Sequence, residues 1–107
     1  MSKKRRVKSW ARRVSRELPR AFCAKAVIPT NGSGKPKVGS SAILIYRFRN
    51  LIWRGFCGRR EPLAVIKSPH TEERVLTFTS SATPGWRGEI EEACRKAFSS
   101  GTLKIKN

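Results

Sequence analysis

SAILIYRFRNLIWRGFCG, residues 41–58, is the stretch that decides the fold. It is rich in β-branched and aromatic residues, which favour β-strands over helices. In a strand, alternate residues from Ala42 to Phe48 lie on one face and those from Ile43 to Arg49 on the other. We expect the first face to be buried, because the second changes from apolar to basic along its length. The stretch therefore predicts one long bent strand or a hairpin that turns near Asn50.

Two shorter strands are predicted beyond this stretch. PLAVIK (residues 62–67) and RVLTFT (residues 74–79) again combine β-branched and other apolar side chains. SPHTEE (residues 68–73) joins them, and its proline and polar residues suit a turn. The simplest arrangement of the two strands is an antiparallel pair.

A helix is predicted at each end of the chain. In the first, apolar residues recur at helical spacing from Val7 to Leu18, and Pro19 either ends the helix or kinks it so that it continues through Ala26. The second helix starts after the N-cap residue Thr83. Its apolar positions, the side expected to pack on the sheet, begin at Trp86 and repeat at helical spacing until Gly101 provides a stop.

The order helix, strands, helix defines an α+β domain. We expect a basic amphipathic N-terminal helix, a small antiparallel sheet of three or four strands, and a C-terminal helix packed on one face of that sheet. Residues 29–41, rich in glycine, proline and serine, predict a flexible loop. The predicted boundaries are a basic N-terminal arm at 1–8, a single domain at 9–101 and a short C-terminal tail at 102–107.

The composition indicates a polyanionic partner. The 107 residues include 24 lysines and arginines against seven acids, a formal net charge of +17. Such a balance makes a small compact domain repel itself unless anions are bound. The charge is uneven, because 17 of the cations and only one acid lie in the first 60 residues. We therefore expect the first half to bind the partner and the second half to support the fold.

The first helix carries the strongest binding signal. Lys8, Arg12, Arg16 and Arg20 follow one another at steps of four, opposite the apolar stripe. Like charges four residues apart destabilise a helix slightly, so this row favours bound anions. The planar guanidinium group of arginine can donate two parallel hydrogen bonds to a phosphate, and a nucleic-acid backbone presents phosphates in a row. The row predicts contacts to such a backbone.

Residues 46–60 give a second signal, because aromatic side chains are interleaved there with five arginines. Proteins that bind RNA on a sheet combine these residue types, with cations for phosphates and rings for bases. We assign the phosphates to the arginines and keep Trp53 as the aromatic residue predicted to stack. The complete predicted nucleic-acid-binding set is Lys3, Lys4, Arg5, Arg6, Lys8, Arg12, Arg13, Arg16, Arg20, Lys35, Lys37, Arg47, Arg49, Trp53, Arg54, Arg59 and Arg60.

These residues predict a non-enzymatic nucleic-acid-binding protein. RNA is preferred to DNA as the partner, because the sequence contains no convincing unit for reading a major groove. Ribosome-associated proteins and small viral RNA-binding proteins both fit this composition. The cluster from Lys3 to Lys8 also matches the basic pattern recognised for nuclear import, which makes an import receptor a second predicted partner.

The predicted location is intracellular. The sequence has no run of about 18 apolar residues, so no transmembrane segment is expected, and its basic start lacks the apolar region of a secretory signal. We expect the cytoplasm, with the nucleus or nucleolus as the site for a eukaryotic or viral protein. The odd number of widely spaced cysteines (Cys23, Cys57 and Cys94) predicts reduced thiols.

Two other functions remain open from the sequence. A small basic effector could bind an acidic protein or an anionic membrane through the amphipathic first helix. A basic ribonuclease toxin could use His70 as a base, although a single histidine in a polar turn is a weak catalytic signal.

No catalytic residue, metal or cofactor is assigned. NGSGKPK (residues 31–37) does not match a phosphate-binding loop, because Pro29 and Pro36 stand where glycine and a hydroxyl residue are required. The three cysteines and the single histidine lack the close pairs that a zinc site uses.

Overall fold

The computed structural model describes residues 3–47, 62–69, 71, 73–98 and 102–106. In these residues the chain forms two helices and a five-stranded mixed sheet, so the predicted α+β class is confirmed. The elements are α1 (Lys3–Glu17), β1 (Phe22–Val27), a short 3₁₀ turn (Val38–Ser40), β2 (Ala42–Arg47), β3 (Ala64–Lys67), β4 (Glu73–Phe78), α2 (Pro84–Ala97) and β5 (Thr102–Lys106).

The strands lie in sequence order from β1 to β5. The first four pair antiparallel with their neighbours, whereas β5 pairs parallel with β4 after the chain returns through α2. The prediction of three or four antiparallel strands is therefore wrong in number and in the direction of β5, whereas the other neighbouring strands pair antiparallel. The two strands outside the prediction are the edges, β1 and β5, which have a paired strand on one side only.

Strand β5 occupies residues that were predicted to form a short tail at 102–107. Leu103 and Ile105 alternate with Lys104 and Lys106, which is the period of a strand, but five residues give a weak signal on their own. Pairing with β4 supplies the missing stabilisation, with Leu103 opposite Arg74 in the register.

Helix α1 starts at Lys3, so its first turns include residues 3–8. The helix ends at Glu17 and does not continue through Ala26, so of the two predicted alternatives it is the helix end before Pro19 that is observed. The Leu18 amide still donates to the Val14 carbonyl at 3.0 Å, and the Phe22 amide donates to the Pro19 carbonyl at 3.0 Å in the turn that leads to β1. Proline has no amide with which to continue the helix, so the chain turns back there.

The predicted pair of strands at 62–67 and 74–79 is confirmed as the antiparallel β3 and β4. Strand β2 covers the first part of the long stretch at 41–58. The alternatives of a bent strand or a hairpin near Asn50 concern residues that lie outside the described part of the chain.

The helices cover one face of the sheet and define the core. On this face Ile43, Ile45, Ile66 and Leu76 are completely buried against the apolar sides of α1 and α2. The expectation that the face with Ala42 was the buried one is therefore wrong. Alternation shows which residues share a face, but the attachment of the helices decides which face is covered.

Helix α2 starts after the N-cap residue Thr83, as predicted. The Thr83 hydroxyl oxygen accepts a hydrogen bond from the Trp86 amide at 3.3 Å, and Pro84 occupies the first turn. The helix ends at Ala97, before the predicted stop at Gly101, which lies outside the described residues. Its buried residues are Ile90, Ala93, Cys94 and Ala97.

The cysteines differ from the prediction of three reduced thiols. Cys23 forms a disulfide, whereas Cys94 is free and buried. The prediction is wrong for Cys23, because sequence spacing does not show which cysteines the fold brings together.

Cys94 is expected to resist alkylation in the folded protein. Burial, with a smaller contribution from Glu91, raises the pKa of Cys94 to about 12. Because the thiolate is the reactive form, very little of it exists at about pH 8. Mass spectrometry after iodoacetamide treatment should find Cys94 unmodified in the native protein and modified in denaturant. Rapid modification of the native protein would contradict the packing of α2.

Candidate nucleic-acid interface

Helix α1 presents different side chains to the core and to solvent. Val7, Ala11, Val14 and Leu18 are buried. The solvent side consists of exposed cations, and we call this set the basic face of α1: Arg5, Arg6, Lys8, Arg12, Arg13 and Arg16. Arg20 follows the helix and is also exposed.

A stack of aromatic and guanidinium groups holds α1 against the rest of the fold. The Trp10 ring lies 4.8 Å from the Phe98 ring, centroid to centroid. The Arg74 guanidinium lies over both rings, at 4.6 Å from Trp10 and 4.5 Å from Phe98, and its Nε donates to the Pro69 carbonyl at 3.1 Å. Arg74 is only 6% exposed. This stack joins α1, β4 and the end of α2.

A second contact ties α1 to the edge of the sheet. The Ala24 amide in β1 donates to the Ser15 hydroxyl oxygen at 3.0 Å, and that hydroxyl donates to the Ala24 carbonyl at 3.3 Å. The hydroxyl thus occupies backbone groups of an edge strand that would otherwise face solvent. With Trp10 fixed on the same helix, these contacts set the rotation of α1 that leaves Arg12 and Arg16 exposed.

Within the described part of the chain, Lys8, Arg12 and Arg16 of the basic face form no ion pair with an acid. The first turn of α1 has no acidic residue, and the ion pairs found among the described residues, Arg95–Glu91 at 2.9 Å and Lys96–Glu92 at 3.4 Å, both lie within α2. Arg13, which could pair with Glu17 four residues later, lies instead over the Trp10 ring at 4.6 Å.

The predicted lysines Lys35 and Lys37 are exposed on the connection between β1 and β2. This connection has hydrogen bonds of its own, since the Asn31 side-chain oxygen accepts from the amides of Ser33 at 2.9 Å and Lys35 at 3.0 Å. Gly34 adopts φ 82°, a conformation that suits glycine. The segment predicted to be a flexible loop therefore contains an ordered turn.

Arg47 lies at the opposite end of β2 and is exposed. It stands opposite Phe22 in the strand register, and its guanidinium lies 4.7 Å from the centre of the Trp86 ring. Trp86 meets Phe22 edge to face, with the ring centres 6.3 Å apart. Trp86 was absent from the predicted set, because its helical spacing assigned it to the core.

Part of the predicted set falls outside the described residues. These members are Arg49, Trp53, Arg54, Arg59 and Arg60. Lys3 and Lys4 belong to the first turn of α1.

Sequence reasoning also missed a second group of cations. Register places Lys25, Lys67, Lys104 and Lys106 on the face of the sheet opposite the helices, and all four are exposed. They come from three different strands, β1, β3 and β5, and only the strand pairing shows that they share a face.

Two kinds of site are absent from the described ranges. Neither helix there has the length and apolar character needed to cross a bilayer. Among the same residues, no group of three or more histidine, cysteine or acidic side chains could hold a metal ion.

Comparison with known proteins gives no assignment, since no family model, no curated protein and no solved structure matches the chain.

Proposed function

We propose that this protein is a non-enzymatic RNA-binding protein and that the basic face of α1 binds phosphates of the RNA backbone. The observation that carries the proposal is a helix anchored on one side by Trp10 and Ser15. On its other side the helix exposes Arg12 and Arg16, which form no ion pair with any described acid. A domain of 107 residues with a net charge of +17 is relieved of self-repulsion when a polyanion binds.

The spacing of the cations suits a row of phosphates. Lys8, Arg12 and Arg16 are four residues apart, so they recur along one side at intervals of about 6 Å. Each adjacent pair repels slightly in the free protein, and a bound anion removes that cost. Guanidinium groups also bind phosphate oxygens in a bidentate manner, which a merely solvated surface does not require.

The composition of the basic face favours backbone contacts over base reading. Apart from its cations, the solvent side of α1 offers Ser9 and Glu17, and the helix contains no asparagine or glutamine. Those amides are the side chains that recognise adenine in a DNA major groove. We therefore propose RNA rather than a specific DNA site as the partner, within a ribosome-associated or viral particle. The import receptor proposed for Lys3–Lys8 would use the same cations.

The dependence of affinity on salt tests this function. Each phosphate contact contributes about 0.7 to 0.9 to the slope of log affinity against log salt. Changing Lys3, Lys4, Arg5 and Arg6 together to alanine should therefore flatten the slope by up to about three units. Alanine keeps the helical propensity of the first turns, so a loss of α1 should not obscure the result.

Fluorescence anisotropy with a labelled single-stranded RNA, followed by a gel of the same RNA, gives the measurement. An RNA affinity that does not change with salt concentration would overturn the proposal. Binding only to vesicles or to an acidic protein would overturn it as well. Cleavage of the RNA by purified protein, abolished by His70→Ala, would show that the protein is a ribonuclease.

A further inference from the structure

Arginine guanidinium groups lie over aromatic rings at several places in the described fold, and two of these stacks differ in accessibility. In the stack of Trp10, Phe98 and Arg74, the guanidinium is buried and the rings are held between α1, α2 and β4. In the stack of Trp86 and Arg47, the guanidinium is exposed and the tryptophan is only half-buried. The first stack contains a buried guanidinium, although the exposed Arg13 also lies over its half-buried Trp10 ring. The second stack consists of a half-buried ring and an exposed guanidinium.

The second stack has a rigid support. Phe22 is 5% exposed and contacts the Trp86 ring edge to face. The strand register places Arg47 directly opposite Phe22, so two paired strands set the position of the Arg47 backbone. Trp86 lies in the first turn of α2, just after the Thr83 N-cap. A surface that is flat and held in place loses little conformational freedom when a ligand stacks on it.

The stack continues the basic face of α1. Arg16 lies in the last turn of that helix, and Arg20 is two residues before Phe22 in the chain. Phosphates bound along α1 would therefore lead toward Arg47. Two described acids are close in sequence to the aromatic members of the stack, Glu17 to Phe22 and Glu89 to Trp86. Neither acid forms an ion pair with Arg47.

We infer that Arg47 and Trp86 form a stacking site for one unpaired nucleobase of the RNA. The base would lie on the outer plane of the Arg47 guanidinium, with Trp86 beneath it, while the adjoining phosphates contact Arg16 and Arg20. Unpaired bases stack on arginine planes and aromatic rings in this manner, and such stacking accepts any base. The inference rests on the proposed RNA-binding function and makes an unpaired nucleotide part of the ligand.

The test separates base stacking from phosphate binding. The probes are a short single-stranded RNA of mixed sequence and a matched oligonucleotide with the same number of phosphates but no bases. The wild-type protein should bind the RNA roughly tenfold more tightly than the abasic strand, the scale of one base–aromatic contact. Arg47→Lys retains the charge but removes the plane, so it should lose most of this ratio and leave abasic binding and its salt slope unchanged.

Arg12→Lys is the matched control, because the same change on the basic face of α1 should leave the ratio as it is in the wild type. Thermal melts of both variants should coincide with the wild type, since both arginines are exposed. Equal binding of the two probes by the wild type, or an unchanged ratio in Arg47→Lys, would overturn the stacking site. Failure of the wild type to bind either probe would overturn the RNA-binding function itself.

Discussion

Trp10→Ala is expected to lower the free energy of unfolding by about 2 kcal/mol or more, because it truncates a large half-buried ring that packs against the core. The indole contacts the Phe98 ring at 4.8 Å and lies under the Arg74 guanidinium at 4.6 Å. Its removal leaves a cavity between α1 and α2. It also takes an aromatic partner from Arg74, a buried cation whose desolvation the ring helps to offset.

Urea denaturation of Trp10→Ala measures this loss of stability, and the variant Arg13→Ala serves as the control. Arg13 also lies over Trp10, but it is exposed, so its loss should change the unfolding free energy by less than about 1 kcal/mol. If Trp10→Ala unfolds like the wild type but no longer binds vesicles or an acidic protein, the packing of α1 is wrong. The helix would then be a free recognition element, and the basic-effector function would replace RNA binding.

The triple change of Lys8, Arg12 and Arg16 to alanine is expected to weaken RNA binding by about 100-fold at ~0.1 M salt and to reduce the salt slope by about two to three units. Each of these cations is exposed and belongs to the basic face of α1. Stability should stay equal or rise slightly, because the change removes two like-charge pairs four residues apart and introduces alanine into a helix.

The matched control is the triple change of Lys25, Lys67 and Lys104 to alanine. It alters the net charge by the same amount on the sheet face opposite the helices. Affinity should fall much less, because those lysines lie away from α1 and contribute only through the long-range field, which salt screens. Equal losses in the two triple variants would show that total charge, and no particular face, determines binding.

Much of this fold could be predicted from local pattern. The N-cap at Thr83 and the apolar spacing that follows it specify α2, and the β-branched runs specify β3 and β4. The position of the cations in α1 could be predicted as well, because helical spacing alone separates Val14 from Arg12 and Arg16. These features depend on residues within one or two turns of one another.

The candidate site could be predicted only in part. Arg74 was assigned to a strand with no special role, although it is buried between two rings. Trp86 was assigned to the core because of its helical spacing, whereas the structure leaves it half-buried beneath an exposed Arg47. No local pattern distinguishes a buried arginine from an exposed one, since the difference lies in what packs around it.

The sequence by itself determined the α+β class, the two helices, the central strands and the concentration of cations in α1, because each follows from side-chain periodicity and charge in a short segment. Tertiary structure decided the edge strands β1 and β5, the face of β2 that is buried, and the meeting of Phe22, Arg47 and Trp86. Those features join residues far apart in the chain. Their free energy comes from strand pairing and ring contacts that exist only once the chain has folded.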